Sequence, residues 1–120
     1  MLNYFLVFIG GGLGSMCRYG IAHLLTDHKM TFPLATFIAN ILSCLILGYL
    51  VGLSLKTEVG YYHRFLLMTG FCGGFSTFST FSSETFQLFQ QGEIFHAFLN
   101  IAISLIVCLI CIFLGFKIAE

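Results

Sequence analysis

The chain has 120 residues, of which 58% are hydrophobic and 8% charged, and its five basic and five acidic side chains cancel to zero net charge. A soluble domain carries about 25% charged residues, so this chain has too little polar surface to face water all round, and the lack of any basic cluster argues against nucleic acid as a partner. The mean hydropathy of +0.99 makes the lipid bilayer the natural solvent, and at this length one domain, residues 1–120, is expected.

The first apolar stretch, about Leu2–Leu25, lacks the basic start of a secretory signal, and Gly10–Ser15 lead to Arg18 rather than to a soluble sequence. It is expected to stay in the product as a membrane span. Three more segments reach the roughly 20 residues needed to cross the hydrocarbon core: Phe32–Leu55, Arg64–Gln90 and Ile94–Phe116. Pro33 stands near the start of the second, where a missing N–H does least harm. Short polar patches separate the segments: Thr26–Lys29, Lys56–Glu58 and Gln90–Glu93. With no internal repeat, an all-α membrane protein of four transmembrane helices is the closed solution for such a chain.

Four spans put both termini and the 56–64 loop on one side, with Lys56, Arg64 and Lys117. Lys29 lies on the other, joined by Arg18 if that side chain reaches so far. Three against two is almost no positive-inside bias. The chain can therefore insert both ways and build an antiparallel dimer, or a single lysine orients it. Asp27, Glu58, Glu93 and Glu120 fall in loops or at ends, as do His23, His28, His63 and His96, whose spacing suits an interfacial place better than a metal. Only Arg18 and Glu84 are expected within the membrane, where a charge is costly and a functional candidate by default; for Arg18, snorkelling to the headgroups is the plain alternative. The five cysteines lie in apolar stretches, where a thiol acts as a small hydrophobe. Cys108 and Cys111 have CxxC spacing without a βαβ context, so packing is preferred to metal or disulfide chemistry.

The chemistry is expected in the third span. Residues 69–85 hold three glycines and eight hydroxyl side chains, a poor composition for a helix facing lipid. Gly70, Gly73 and Gly74 each cost about 1 kcal/mol relative to alanine in a helix interior. A break near Gly73–Thr77 would free carbonyls suited to a small hard cation such as sodium. The alternative for these glycines is close helix packing of the small-xxx-small type, and the two readings are compatible. Of 15 phenylalanines, Phe71, Phe75, Phe78 and Phe81 recur at intervals of three and four, down one helical face. That stripe is either packing or the border of a polar path with Ser79, Thr80, Ser82 and Glu84. In the second case the positive ring edges can attract an anion without a charge that would trap it. Thr36 and Asn40 share a face of the second span, and Asn100, Ser104 and Cys108 a face of the fourth. They serve either to complete such a path or simply to hydrogen bond between helices.

Three motifs, Gly10–Tyr19, Pro33–Asn40 and Gly70–Glu84, resemble the signatures of the Fluc (CrcB) family of fluoride channels, in order and along the whole chain. The resemblance implies a dual-topology homodimer, assembled antiparallel, with two fluoride pores and one central structural sodium ion. It implies that Phe78 and Phe81 line the pores with their ring edges and that Asn40 is the pore amide. The Gly73 and Ser76 carbonyls would hold sodium, Thr80, Ser104 and Glu84 would belong to the polar track, and Arg18 would stand near the vestibule. Where the family often has glycine, threonine and tyrosine, this chain has Ala35, Ser76 and Asn100, and Cys108 sits where the family can carry a small polar residue. The function implied is passive export of cytoplasmic fluoride across a bacterial plasma (inner) membrane, by a channel and not an enzyme.

Two rival classes are weaker. A small proton-coupled multidrug exporter needs an acid in its first span, and this span has no Asp or Glu. An accessory subunit without transport predicts that Phe78, Phe81 and Asn40 are replaceable without loss of ion flux. A membrane oxidoreductase is further off, since no cysteine pair lies in a loop.

Overall fold

The computed structural model describes residues 1–25, 32–57 and 60–120; the polar patch around Asp27, His28 and Lys29, and Glu58, lie outside them. Among the described residues all regular structure is helical. Helix α1 spans Leu2–Leu24 and α2 spans Leu34–Lys56, with Pro33 immediately before it. Both have 23 residues, about 35 Å at 1.5 Å per residue, enough to cross a hydrocarbon core of about 30 Å.

The third apolar segment forms two helical pieces rather than one. Its first half is a continuous rod: α3 (Tyr61–His63), a π-helical stretch Arg64–Cys72, then α4 (Gly73–Phe75). Ser76 (φ −89°, ψ 156°) and Thr77 (φ −153°, ψ 124°) are extended, and the chain turns helical again as α5, Phe78–Gln90. Thr77 accepts the Thr80 N–H on its hydroxyl at 3.4 Å, the N-cap bond that starts a new helix. Helix α5 closes with Gly92 at φ +79°. There the Gly92 N–H reaches the Phe89 carbonyl and the Glu93 N–H the Leu88 carbonyl, at 3.1 and 2.9 Å. This is the Schellman pattern, which needs the left-handed backbone that glycine adopts freely. Helix α6, Ile94–Ala119, completes the chain.

Three helices among the described residues, α1, α2 and α6, are long and apolar enough to cross a membrane. Their outward faces carry bare apolar side chains, including Phe5 and Phe8 on α1 and Phe98 and Phe113 on α6. Water would penalise such a surface; lipid does not.

Two glycine contacts organise the bundle. Helix α1 lies along the 61–75 rod: a Cβ on Gly14 would stand 2.7 Å from the Phe75 nitrogen and run into the Phe71 carbonyl, and one on Gly10 would stand 2.9 Å from the Phe71 nitrogen and run into the Leu66 carbonyl. Likewise α2 lies along α6, with Gly48 against Ile112, Gly52 against Phe116 and Gly115 against Tyr49. Higher residue numbers on α2 meet higher ones on α6, so these helices run parallel. Continuing this register toward their N-terminal ends pairs Cys44 with Cys108, Asn40 with Ser104 and Thr36 with Asn100. The small residues thus bring the polar rows of α2 and α6 face to face, and helix α5 packs beside them on α6.

Candidate functional site

The extended pair Ser76–Thr77 sits where these polar rows meet the third segment. The Thr77 N–H donates to Asn40 Oδ1 at 3.3 Å. This bond fixes the amide oxygen and leaves the two N–H donors of the same amide without a partner among the described residues. Around that point a cleft of about 250 Å³ opens, lined by Asn40 and Ser104, by Phe78 and Phe81, and by Ser76 and Thr77. The Phe78 and Phe81 rings lie 5.9 Å apart at a tilt of 36°, and Phe78 is 78% exposed. The cleft is therefore mostly apolar, walled by these rings and by Leu105, Leu109 and Ile112, with the Asn40 amide as its neutral hydrogen-bond donor.

A buried chain of hydrogen bonds supports its floor. Ser104 Oγ donates to Asn100 Oδ1 at 3.2 Å, and Asn100 Nδ2 donates to Thr85 Oγ1 at 2.9 Å. Thr85 in turn donates to the Phe81 carbonyl at 2.8 Å. Asn100 is 1% exposed, and no buried side-chain nitrogen or oxygen among the described residues lacks a partner. The asparagine thus links α6 to the backbone of the residue that carries a cleft ring.

The remaining sequence candidates fall around this cleft rather than in it. Thr36 donates to Glu84 Oε1, one turn before Asn40 on α2. Thr80 lies on the first turn of α5, its N–H held by the Thr77 cap. Arg18 Nε donates to the Gly74 carbonyl at 3.3 Å, tying α1 to the end of the rod. The four-membered aromatic stripe expected down one helical face is two pairs. Phe71 and Phe75 face each other on the rod at 5.4 Å, with Phe75 buried. Phe78 and Phe81 lie beyond the extended residues, which interrupt the helical period between the pairs.

The backbone at the interruption is suited to a hard cation. In an unbroken helix the Gly73 carbonyl would accept from the Thr77 N–H and the Ser76 carbonyl from the Thr80 N–H. Those N–H groups go instead to Asn40 Oδ1 and Thr77 Oγ1. By contrast, the Cys72 carbonyl is well occupied, by the Ser76 N–H and by the Ser76 and Ser43 hydroxyls. The Gly73 and Ser76 carbonyls thus lack, among the described residues, the N–H donors that an unbroken helix would give them.

Sequence reasoning missed three supporting residues. Ser43 falls on the α2 face of Asn40, three residues on, and Thr85 is one turn beyond Phe81; both spacings are visible once those anchors are chosen. Thr77 was legible as part of the break but not as the cap of a new helix.

Comparison with known proteins bears on this site. The family described as CrcB-like protein, Camphor Resistance (CrcB), matches residues 5–116. The chain is 49% identical to the fluoride-specific ion channel FluC of Pyrococcus abyssi (strain GE5 / Orsay), over 96% of this chain and 94% of the relative. It is 44% identical to the protein of the same name from Azobacteroides pseudotrichonymphae genomovar. CFP2, over 97% and 94%. To that from Flavobacterium psychrophilum (strain ATCC 49511 / DSM 21280 / CIP 103535 / JIP02/86) it is 42% identical, over 100% and 98%.

Proposed function

The chain belongs to the CrcB family, and on that premise we propose that it is a fluoride-selective channel through which cytoplasmic fluoride leaves passively. As a multi-pass integral protein of the cell membrane it is an ion channel, not an enzyme. Its working form is an antiparallel homodimer of four-span subunits, the third span broken at Ser76–Thr77, with two pores and one structural sodium ion.

The observation that carries this reading is the cleft where the Asn40 amide and the Ser104 hydroxyl meet the Phe78 and Phe81 rings. Fluoride is small and tightly hydrated, so a path must replace its water with donors. The free Asn40 N–H groups supply hydrogen bonds, and ring edges supply partial positive charge. None of these carries a formal charge, so the anion is held weakly enough to leave. Thr36, Glu84 and Thr80 extend the polar side of the path away from the rings, and Arg18 belongs to its aqueous approach. An inside-negative potential drives the anion outward by about 2.3 kcal/mol per 100 mV, so no energy source is needed. In cells whose own fluoride export has been deleted, this chain is expected to restore growth on fluoride. Failure to restore growth at normal membrane expression contradicts the channel reading.

The sodium reading is supported by the Gly73 and Ser76 carbonyls, whose helical partners are diverted. When bound between subunits, the ion supplies positive charge that two sets of carbonyls share, and thereby holds the dimer together. Exchanging sodium for a large organic cation is expected to lower the dimer's thermal midpoint in detergent by about 5–10 °C, the shift for a ligand held near a hundred times its Kd. Identical midpoints in the two salts remove the structural role. The near-equal count of basic residues on the two sides supports the antiparallel arrangement.

A further inference from the structure

The register that sets Asn40 beside Ser104 sets Cys44 beside Cys108 one turn further along α2 and α6. Both thiols line the same cleft as the aromatic rings. Both are free and half-buried. The other cysteines are placed differently: Cys72 and Cys111 are buried in packing, and Cys17 is exposed on α1. The CxxC neighbour of Cys108 in sequence is thus not its partner in the cleft.

Two sulfurs are too few for a tetrahedral zinc site, and no set of three or more His, Cys, Asp or Glu side chains converges among the described residues. Two facing thiolates are the ligand set of a soft d10 cation in linear coordination, such as Ag(I), Cu(I) or Hg(II). We propose that Cys44 and Cys108 form a two-coordinate soft-metal site in the cleft wall, and that its occupancy closes the cleft to anions. The closing half rests on the reading of this cleft as the fluoride path.

The binding step balances without a redox partner. Each S–H bond breaks and its proton passes to water or buffer. Two sulfur–metal bonds form, and the metal keeps its oxidation state. Ag(I) between two thiolates bears a net charge of minus one. That complex sits one turn from Asn40 and Ser104, narrows the cleft, and repels an incoming anion.

The test uses the full-length assembly carrying Cys17→Ser, which removes the exposed thiol, in chloride-free buffer after the reductant is taken away. Silver nitrate is titrated calorimetrically in two buffers of different ionisation heat, which reads the protons released. The expected result is a strong site for one silver per chain with proton release. Adding Cys44→Ser or Cys108→Ser is expected to weaken it about a hundredfold, the share of one thiolate in a metal site. Silver is also expected to stop fluoride efflux from vesicles, each variant being compared with its own efflux before silver, and to lose that effect in the cysteine variants. Equal silver affinity in Cys17→Ser and in the protein that also carries Cys44→Ser and Cys108→Ser overturns the site. Binding that depends on the two cysteines while efflux ignores silver upholds the site and overturns the closing half. With efflux still running, that outcome moves the fluoride path out of this cleft without touching the channel activity.

Discussion

Phe81→Ile lowers fluoride efflux by about ten- to a hundredfold while the protein still assembles. The estimate follows from the ion's need for a partner. A favourable contact to a charged group is worth about 1.5–3 kcal/mol, and each 1.36 kcal/mol raised on a barrier slows passage about tenfold. Isoleucine keeps apolar volume beside Phe78 but has no positive edge to offer. Phe71→Ile is the matched control. That ring sits on the other side of the interruption, paired with buried Phe75 at 5.4 Å, so its replacement leaves efflux within a factor of about two of the starting rate, as a surface or packing change without a site role does. Efflux from vesicles, with gel filtration to check assembly, reads both. Equal rates for Phe81→Ile and the unaltered protein take the rings out of the ion path.

The second large effect is on folding. Gly14→Val on α1 abolishes monodisperse protein in detergent, because its Cβ alone would stand 2.7 Å from the Phe75 nitrogen with the Phe71 carbonyl nearer still. Backbone atoms of a packed rod cannot move aside as a flexible side chain can. The cost exceeds the usual 1–3 kcal/mol of overpacking, and it falls on the contact that positions the end of the rod beside the extended residues. Gly12→Val, two residues away, has nothing within 4 Å of the new Cβ and leaves the yield unchanged apart from a small helix-propensity effect. Similar elution profiles for the two variants contradict the account of how α1 meets the rod.

Much of this was legible because the relevant signals are one-dimensional. Apolar length places α1, α2 and α6, and the four-residue spacing of Thr36 with Asn40, and of Asn100 with Ser104, marks the faces that meet. The glycine and hydroxyl content of residues 69–85 marks the segment where helix fails. What was not legible depends on which atoms satisfy one another in space. The interruption falls at Ser76–Thr77 because Asn40, on another helix, takes the Thr77 N–H and because the Thr77 hydroxyl starts α5. Neither bond has a sequence period. The π-helical stretch Arg64–Cys72 likewise carries no composition signal that separates it from an α-helix. The aromatic stripe misled in one respect: intervals of three and four are read as one face only when the helix is continuous, and here it is not. Asn100 was visible as a departure from the family's tyrosine, whereas its link through Thr85 to the Phe81 carbonyl required the packing of α5 on α6.

The central claim is that this chain alone conducts fluoride and rejects chloride. Its most direct test is efflux from liposomes containing only the purified protein, followed with fluoride and chloride electrodes after a potassium ionophore is added to remove the opposing voltage. The account predicts rapid loss of trapped fluoride and retention of trapped chloride in parallel vesicles. Retention of fluoride by vesicles holding well-folded protein, or loss of both anions at similar rates, contradicts it.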